Sequence, residues 1–330
     1  MKKQLLIAAV AATMTSAAFA DVSITGDAKY EYKSIEDANN STTNTGNTEV
    51  NVSIKGTSGD TSVVLNTEFT DGSSTTAGAG VNVEDMYMTT KIGDVTLKMG
   101  DFASGTSGIL GEIDNGARAT NKVSASMNIA GASVGYHTTP GTGTSDSVTV
   151  SMPVAGYTLN LKESANSYTA YGISGDVSGL GFRIEQQASD TADSDVTFGN
   201  LTYSANGIDL GYAWISADDS ANTVTEDDSS IFAVEMGQAS NAGQKTNVNG
   251  VSQISAKTSI AGNTVTVKAG TLKAKSSYQD ADFTQVDVKR ALASGATLAL
   301  TYTNADTAAI ATGTAQTDTS TFEADISVKF

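Results

Sequence analysis

The chain has 330 residues, with 36 acidic and 19 basic side chains, a formal net charge of −17 and no cysteine. The acidic balance argues against nucleic-acid binding, because phosphates require a basic surface, and the lack of cysteine excludes disulfides and thiolate chemistry. Glycine is abundant and proline occurs only twice. With few long apolar runs, this composition favours an all-β protein.

Residues 1–20 have the features of a secretory signal peptide. Lys2 and Lys3 form a basic start, residues 5–12 an apolar run, and residues 18–20 a small-x-small cleavage site. The apolar run is too short to span a membrane as a helix. We therefore predict an exported chain with a single domain over residues 21–330. Without Lys2 and Lys3 the formal charge of −17 becomes −19.

Segments in which apolar and polar residues alternate follow one another along this domain, and this two-residue period predicts β-strands. Short turns and longer polar loops alternate between them, which is typical of a membrane barrel and is not required of a soluble sandwich. A weaker segment, 231–236, is compatible with a strand or a loop. The predicted strands are 22–34, 48–55, 61–70, 81–92, 94–102, 122–129, 132–137, 147–152, 157–162, 168–173, 182–187, 196–204, 208–216, 251–260, 264–273, 283–290, 296–304 and 322–330.

Charged residues share one phase of these strands and apolar residues the other. In the first strand, Asp27, Lys29 and Glu31 alternate with Ala28, Tyr30 and Tyr32. A sandwich with a polar outer face would alternate in the same way. Aromatic residues of the apolar phase lie near strand ends, as in the interfacial belts of membrane barrels. They are Tyr32, Phe69, Tyr136, Tyr157, Tyr212, Trp214 and Tyr302.

The segment 94–122 holds the most specific candidate site. A strand that ends in Gly100-Asp101-Phe102 runs into the glycine-rich residues 103–117, where Glu112 and Asp114 lie beside apolar residues. Glycines permit tight bends, and Ile109, Leu110 and Ile113 would fix such a loop to a wall. A solvated acidic loop is the alternative interpretation.

A second acidic loop follows near the middle of the chain. Its carboxylates are those of Asp218, Asp219, Glu226, Asp227 and Asp228. Oxygen-rich loops bind Ca²⁺, so a surface calcium site is one interpretation. The spacing differs from that of an EF-hand, and a plain solvated loop is the other. No further cofactor is expected.

No motif indicates catalysis. His137 is the only histidine, and it precedes Pro140 at the start of a loop. A Ser-His-Asp arrangement requires an oriented imidazole with partners, and no nucleophile elbow, phosphate-binding loop or Cys/His metal spacing accompanies it. We therefore expect that the protein is not an enzyme.

The last ten residues, 321–330, alternate without exception and end on the aromatic Phe330. A one-residue slip would place Glu323, Asp325 and Lys329 on the apolar face, so the register is strongly fixed. If that face meets lipid, a lysine at the midplane would cost about 2–4 kcal/mol.

This terminal aromatic strand resembles the assembly signal of outer-membrane β-barrels. The length of the domain and the loop after Gly100-Asp101-Phe102 resemble the general porins of Gram-negative bacteria, although their Pro-Glu-Phe-Gly-Gly loop motif is absent. The resemblance implies a transmembrane antiparallel β-barrel in the outer membrane with short periplasmic turns, long extracellular loops and an inward-folded third loop. We expect 16 strands, as in that family, with 18 as the alternative because 18 segments were found.

The resemblance also implies a pore constriction and a set of partners. Asp101, Glu112 and Asp114 would supply carboxylates, opposed by a set of basic residues across the lumen. A homotrimer, lipid and lipopolysaccharide, and the barrel-assembly machinery acting on Phe330 are the implied partners. The basic residues are Lys29, Lys55, Lys91, Lys98, Arg118, Lys122 and Arg183.

The function that these features favour is a porin. It would form a water-filled channel for passive diffusion of small hydrophilic solutes and ions, with a mild cation preference caused by the acidic excess. A substrate-specific channel is one alternative. A secreted surface-layer or adhesive β-protein is another, but the internal repeats that would support it were not found.

Overall fold

The structure, a computed structural model, describes residues 21–37, 40–70, 80–103, 118–140, 146–165, 168–190, 195–218, 231–233, 248–275, 278–306 and 317–330. Each strand in these ranges pairs antiparallel with the next, and the last pairs with the first, so the sheet closes into a barrel. Closure leaves no free sheet edge along the wall. The strands are β1 (Asp21–Glu36), β2 (Thr42–Ser58), β3 (Thr61–Thr70), β4 (Gly80–Ile92), β5 (Val95–Ala103), β6 (Arg118–Ile129), β7 (Ala132–Thr138), β8 (Ser147–Val154), β9 (Tyr157–Ser164), β10 (Tyr168–Val177), β11 (Leu180–Ser189), β12 (Val196–Ala205), β13 (Ile208–Ala217), β14 (Val248–Ile260), β15 (Asn263–Ala274), β16 (Ala281–Ala291), β17 (Thr297–Asp306) and β18 (Asp318–Lys329).

The described part of the chain forms 18 strands, so the expectation of 16 is wrong and the alternative of 18 is right. Each of the 18 alternating segments in the sequence corresponds to one observed strand. The error came from comparing chain lengths. After β2, the strands have only 7–13 residues, so a chain of this length accommodates two more than the expected number.

Seven two-residue turns and one five-residue turn, 292–296, join successive strands at one rim of the barrel. In five of them a residue with positive φ precedes a glycine with positive φ, which is the type I′ hairpin turn. This turn matches the right-handed twist of the strands that it joins. The long connections lie at the opposite rim, as the sequence predicts. The five turns are Ala130–Gly131, Ala155–Gly156, Ser178–Gly179, Asn206–Gly207 and Ala261–Gly262.

Large apolar side chains cover the outside of the barrel. On β1 the exposed large apolar residues are Val22, Ile24, Tyr30 and Tyr32, whereas Asp27, Lys29 and Glu31 occupy the opposite phase. The same phase rule holds around the wall, and Tyr136, Tyr212 and Tyr302 of the predicted aromatic set are exposed on the outer phase. An apolar outer surface of this extent requires a lipid environment. Within the described ranges, no helix is long and apolar enough to cross a membrane.

The seam between β18 and β1 closes the barrel through the last residue of the chain. The backbone groups of Gly26 and Phe330 exchange two hydrogen bonds, each 2.9 Å long. A side chain at Gly26 would meet the Phe330 ring at 2.7 Å and also the carbonyl oxygen of Asn51. The ring of Phe330 therefore packs on the backbone at residue 26, and this packing requires a glycine there. Residues 1–20, the expected signal peptide, lie outside the described residues.

Candidate functional site: the inner face of the barrel

The candidate site is the inner face of the wall, because charged side chains gather there. Cross-strand pairs fix which residues share this face: Lys29 lies opposite Glu49, and Glu31 lies opposite Asp325. Residues directly opposite each other in an antiparallel pair point to the same side of the sheet. Once the inward-facing residues of one strand are known, the pairing therefore identifies those of the next strand. Three sectors of this face differ in chemistry.

The first sector, the seam cluster, consists of Asp27, Lys29, Glu31, Glu49 and Asp325 on β18, β1 and β2. Four carboxylates surround one lysine, whose Nζ lies 3.2 Å from Glu31 Oε2. The amide of Asn51 donates to Glu49 Oε1 at 2.6 Å and to Asp27 Oδ2 at 3.4 Å, which holds two of the carboxylates beside each other. The seam cluster is thus a partly solvated acidic patch on the inner wall.

The second sector, the basic arc, consists of Lys98 on β5, Lys122 on β6, Lys162 on β9 and Arg183 on β11. Lys98 lies between two aromatic rings, with its Nζ 3.9 Å from the centre of Tyr87 and 4.2 Å from that of Phe102. Cation–π contacts of this kind hold an ammonium group without neutralising it. Two strands, β3 and β4, separate the basic arc from the seam cluster on one side, and six, β12–β17, separate them on the other, so the two clusters occupy different parts of the wall.

Arg183 of the basic arc forms an ion pair with Glu185 on the same strand. Glu185 is fully buried, and the guanidinium carbon of Arg183 lies 5.2 Å from the centre of the Phe198 ring. A buried pair is stabilising only when both partners are present. This pair marks the border between the basic arc and the third sector.

The third sector, the docked sector, is mainly apolar although it belongs to the inner phase of β12–β16. Most of its residues are buried, and residues 231–233, from the connection between β13 and β14, return to the inner wall and pack against them. Phe232 is only 5% exposed and its ring lies 6.4 Å from that of Phe198, nearly perpendicular to it. The docked sector comprises Phe198, Ile215, Val251, Gln253, Lys268, Leu272, Phe283 and Gln285.

The inner phase contains most of the basic residues that the sequence singled out. Lys98 pairs across to Thr89, which places it in the inner phase with Lys91. Lys55 pairs with Ser23 of β1 and lies, like Lys91, near the short-turn rim. These two lysines are therefore far along the wall from Ala103 and Arg118, the strand ends that flank the expected constriction loop. The predicted residues in the inner phase are Lys29, Lys55, Lys91, Lys98, Lys122 and Arg183.

The predicted carboxylates of the constriction have different positions. Asp101 lies opposite Met86, in the outer phase, and its Oδ1 accepts the backbone N–H of Asn121 at 2.8 Å. This bond accompanies a register shift between β5 and β6, so we do not include Asp101 among the lining residues. Glu112 and Asp114 lie outside the described residues, and of Arg118 only the backbone pairing with Ala103 is described.

The predicted calcium loop is described only at its first residue. Asp218 contacts Asp195, whose backbone N–H donates to Asp218 Oδ2 at 3.2 Å. Asp219, Glu226, Asp227 and Asp228 lie outside the described residues. Among the residues that are described, no group of three or more metal-ligating side chains has a geometry that would hold an ion.

Sequence reasoning missed the docked sector. Phe198, Ile215, Val251, Leu272 and Phe283 all fall in the phase that carries charges elsewhere, and this departure from alternation was the available signal. A run of apolar residues in the inner phase of adjacent strands requires a cover inside the barrel. The ambiguous segment 231–236 contains that cover.

Neither a family model nor a curated protein matches this sequence. Solved structures do match in fold. The outer-membrane protein OccK1 (OpdK) of Pseudomonas aeruginosa aligns with a TM-score of 0.64 at 11% identity, over 94% of this chain and 100% of that one. OccK9 (OpdG) of the same organism aligns with a TM-score of 0.63 at 14% identity, over 94% and 99%.

A further match is the structure of Pseudomonas aeruginosa OpdK with vanillate, at 9% identity and a TM-score of 0.61, over 93% of this chain and 99% of that one. At these identities the likeness concerns the fold. It confirms the expected transmembrane antiparallel β-barrel, and the apolar outer surface is that of a barrel wall in contact with lipid. The chain therefore has the fold of the Gram-negative outer-membrane porins.

Proposed function

We propose that the protein is an outer-membrane channel through which small hydrophilic solutes and ions diffuse passively. The observation that carries this proposal is the contrast between the two faces of one closed wall: apolar side chains outside, and the seam cluster and basic arc inside. Charged groups on an inner face are stable only beside water or partners. Permeation requires no catalytic group, so we propose no enzymatic activity.

Reconstitution into a planar bilayer tests this proposal directly. Purified protein should produce stepwise conductance increases in potassium chloride. Before boiling it should migrate faster in gel electrophoresis than after, because a closed barrel resists the detergent. A protein that is soluble without detergent and produces no conductance steps would contradict the proposal and would favour a secreted surface protein.

We also propose a mild cation preference. The formal charge of −19 for residues 21–330 supports it, since acidic groups near an aqueous path raise the local cation concentration. The seam cluster contributes on the wall itself, whereas the basic arc acts in the opposite direction. The reversal potential in a potassium chloride gradient measures the balance, and a sign that indicates anion preference would refute this proposal.

Specificity for a carboxylate-bearing solute is the second candidate function. The basic arc favours it, because Lys98 is fixed between Tyr87 and Phe102 and thus offers an ammonium group beside aromatic surface. One matched structure, OpdK, is described with vanillate, a small aromatic carboxylate. Vanillate added on one side of the bilayer should then reduce ion current in the wild type and much less in Lys98→Gln. Equal block of both proteins would exclude the basic arc as the site.

Five further proposals rest on the sequence. Residues 1–20 direct export, Phe330 is read by the barrel-assembly machinery, three copies associate in the membrane, and Glu112 with Asp114 narrows the pore. The acidic loop that begins at Asp218 would contact lipopolysaccharide through divalent ions such as Ca²⁺. Crosslinking in native membranes tests the trimer, and conductance of Glu112→Gln/Asp114→Asn tests the constriction.

A further inference from the structure

Residues 231–233 bind the inner wall mainly through their own backbone. The side-chain amide of Gln253 accepts the N–H of Ala233 at 2.7 Å and donates to the carbonyl of Ile231 at 2.6 Å. Lys268 Nζ donates to the carbonyl of Phe232 at 3.4 Å, and Gln285 Nε2 donates to that of Ala233 at 3.3 Å. Four polar groups of three consecutive residues are thus bound by three wall side chains.

This pattern of contacts is that of peptide recognition. Gln253 uses one amide to contact the carbonyl of Ile231 and the N–H of Ala233, two positions further, as the N–H and C=O of one residue on a neighbouring parallel strand do. Gln253 is 3% exposed and Gln285 is 9% exposed. Buried amides need hydrogen-bond partners. The partners of these two are backbone N–H and C=O groups, which every peptide has.

The side chains of residues 231–233 also pack against the wall, and that of Phe232 is the most deeply buried of the three. The ring of Phe232 occupies an apolar pocket formed by Phe198, Ile215, Val251, Leu272 and Phe283. Such a site on the wall would bind ligands that offer both backbone hydrogen-bonding groups and one aromatic ring. The geometry points to a site for short peptides with a central aromatic side chain and with blocked, uncharged ends.

We propose that the docked sector is such a peptide-binding site and that residues 231–233 are its tethered occupant. A segment attached to its own site has an effective concentration in the millimolar range, so a solute at similar concentration competes with it. The inference deepens the proposed function, because it assumes that solutes enter the lumen and assigns one class of them to one sector.

The experiment compares the wild type with Phe232→Ala in a planar bilayer. The probe is a blocked tripeptide with the sequence of residues 231–233, and the control peptide has alanine at its centre. In F232A the tethered occupant is weakened, so the probe at millimolar concentration should cause brief closures at least tenfold more frequent than in the wild type. The control peptide should cause few closures in either protein.

Gln253→Leu in the F232A background provides the second arm. It removes two of the four backbone contacts but keeps a side chain of similar size, and closures by the probe should fall toward the level of the control peptide. Phe232→Leu retains an apolar side chain and should rank between wild type and F232A, which preserves the test if F232A does not assemble.

Closures that are absent from both F232A and F232L, or equally frequent with both peptides, would overturn the inference. The potassium chloride conductance of the same preparations tests the proposed function separately. A conducting channel without peptide closures contradicts only the peptide site, whereas the absence of conductance in the wild type contradicts the channel itself.

Discussion

The seam cluster and the docked sector occupy the same inner phase of the same sheet, yet their chemistry is opposite. In the seam cluster, four carboxylates and Lys29 are partly solvated. In the docked sector, inner-phase residues such as Ile215 and Val251 are apolar and almost fully buried. The difference shows that the phase of a strand fixes only which way a side chain points. What covers that side of the wall, water or another part of the chain, fixes the residue type.

The largest expected effect is the loss of closure in Gly26→Val at the seam. A branched side chain at residue 26 would collide with the Phe330 ring and with the carbonyl oxygen of Asn51. The Phe330 ring lies at the β18–β1 junction and Asn51 lies on β2, so a larger residue 26 would be blocked on both sides of β1, and the barrel cannot close without moving the backbone. We expect the variant to lose the fast-migrating form in unboiled gel electrophoresis.

Gly46→Ala is the matched control for this variant. A side chain there would meet only the hydroxyl end of Tyr30, at 2.9 Å, and a flexible side chain can turn away. Gly46 is also a glycine of the first hairpin. If both variants fold equally well, the packing of Phe330 on Gly26 is not what closes the seam.

The next effect compares an ion pair in each part of the wall. Arg183→Gln removes the partner of Glu185, which is fully buried beside the docked sector, and leaving a buried charge without its partner costs about 3–5 kcal/mol. Lys33→Ala breaks the Lys33–Glu323 pair at the seam, 2.6 Å long and more exposed, and should cost about 1 kcal/mol or less. Urea unfolding in detergent measures both. Similar losses of unfolding free energy in the two variants would mean that the pair beside the docked sector is as exposed to water as the pair at the seam.

A smaller effect concerns ion selectivity. Replacing Glu31, Glu49 and Asp325 of the seam cluster by their amides removes negative charge from the lumen, so the reversal potential should move by several millivolts toward anion preference. Replacing Lys98, Lys122 and Lys162 of the basic arc by glutamine should move it the other way. Shifts in the same direction in both variants would show that these sectors do not line the ion path.

The smallest effect lies at the loop rim above the docked sector, between β15 and β16. Burial raises the pKa of Asp280, but hydrogen bonds from Lys273 Nζ at 2.7 Å and from the N–H of Ala274 outweigh it, so the pKa lies below the ordinary 3.8. A depressed carboxyl pKa stabilises the folded loop above pH 3.8, and this contribution is lost as the pH falls through the folded-state value.

Lys273→Ala should therefore raise the pKa of Asp280 toward 3.8. Carboxyl ¹³C chemical shifts recorded from pH 6 to pH 2 in detergent micelles measure it, with Asp282 of the same rim as an internal reference. An unchanged midpoint in K273A would assign the shift to the backbone contact alone.

Local patterns in the sequence predicted most of the wall. Alternation gave each strand, and turns such as Asn206–Gly207 gave the hairpins, because both depend on neighbouring residues. The strand count failed where it relied on chain length instead of on the 18 segments. The docked sector was not predicted for another reason. Phe232 contacts Phe198 and Gln253, which lie in distant parts of the chain, and the alternation of residues within a strand carries no information about a segment that packs on it from another connection.

The single tryptophan of the chain, Trp214, has a practical consequence. It lies in the outer phase of β13, stacked on Tyr212 with ring centres 5.4 Å apart, and its indole covers the backbone of Gly199 on β12. Its fluorescence emission therefore reports on a single site of the lipid-facing surface, at β12 and β13. The inner face of these two strands carries Phe198 and Ile215. Intrinsic fluorescence, with brominated lipids as depth-dependent quenchers, would follow the insertion of this side of the cylinder without any label.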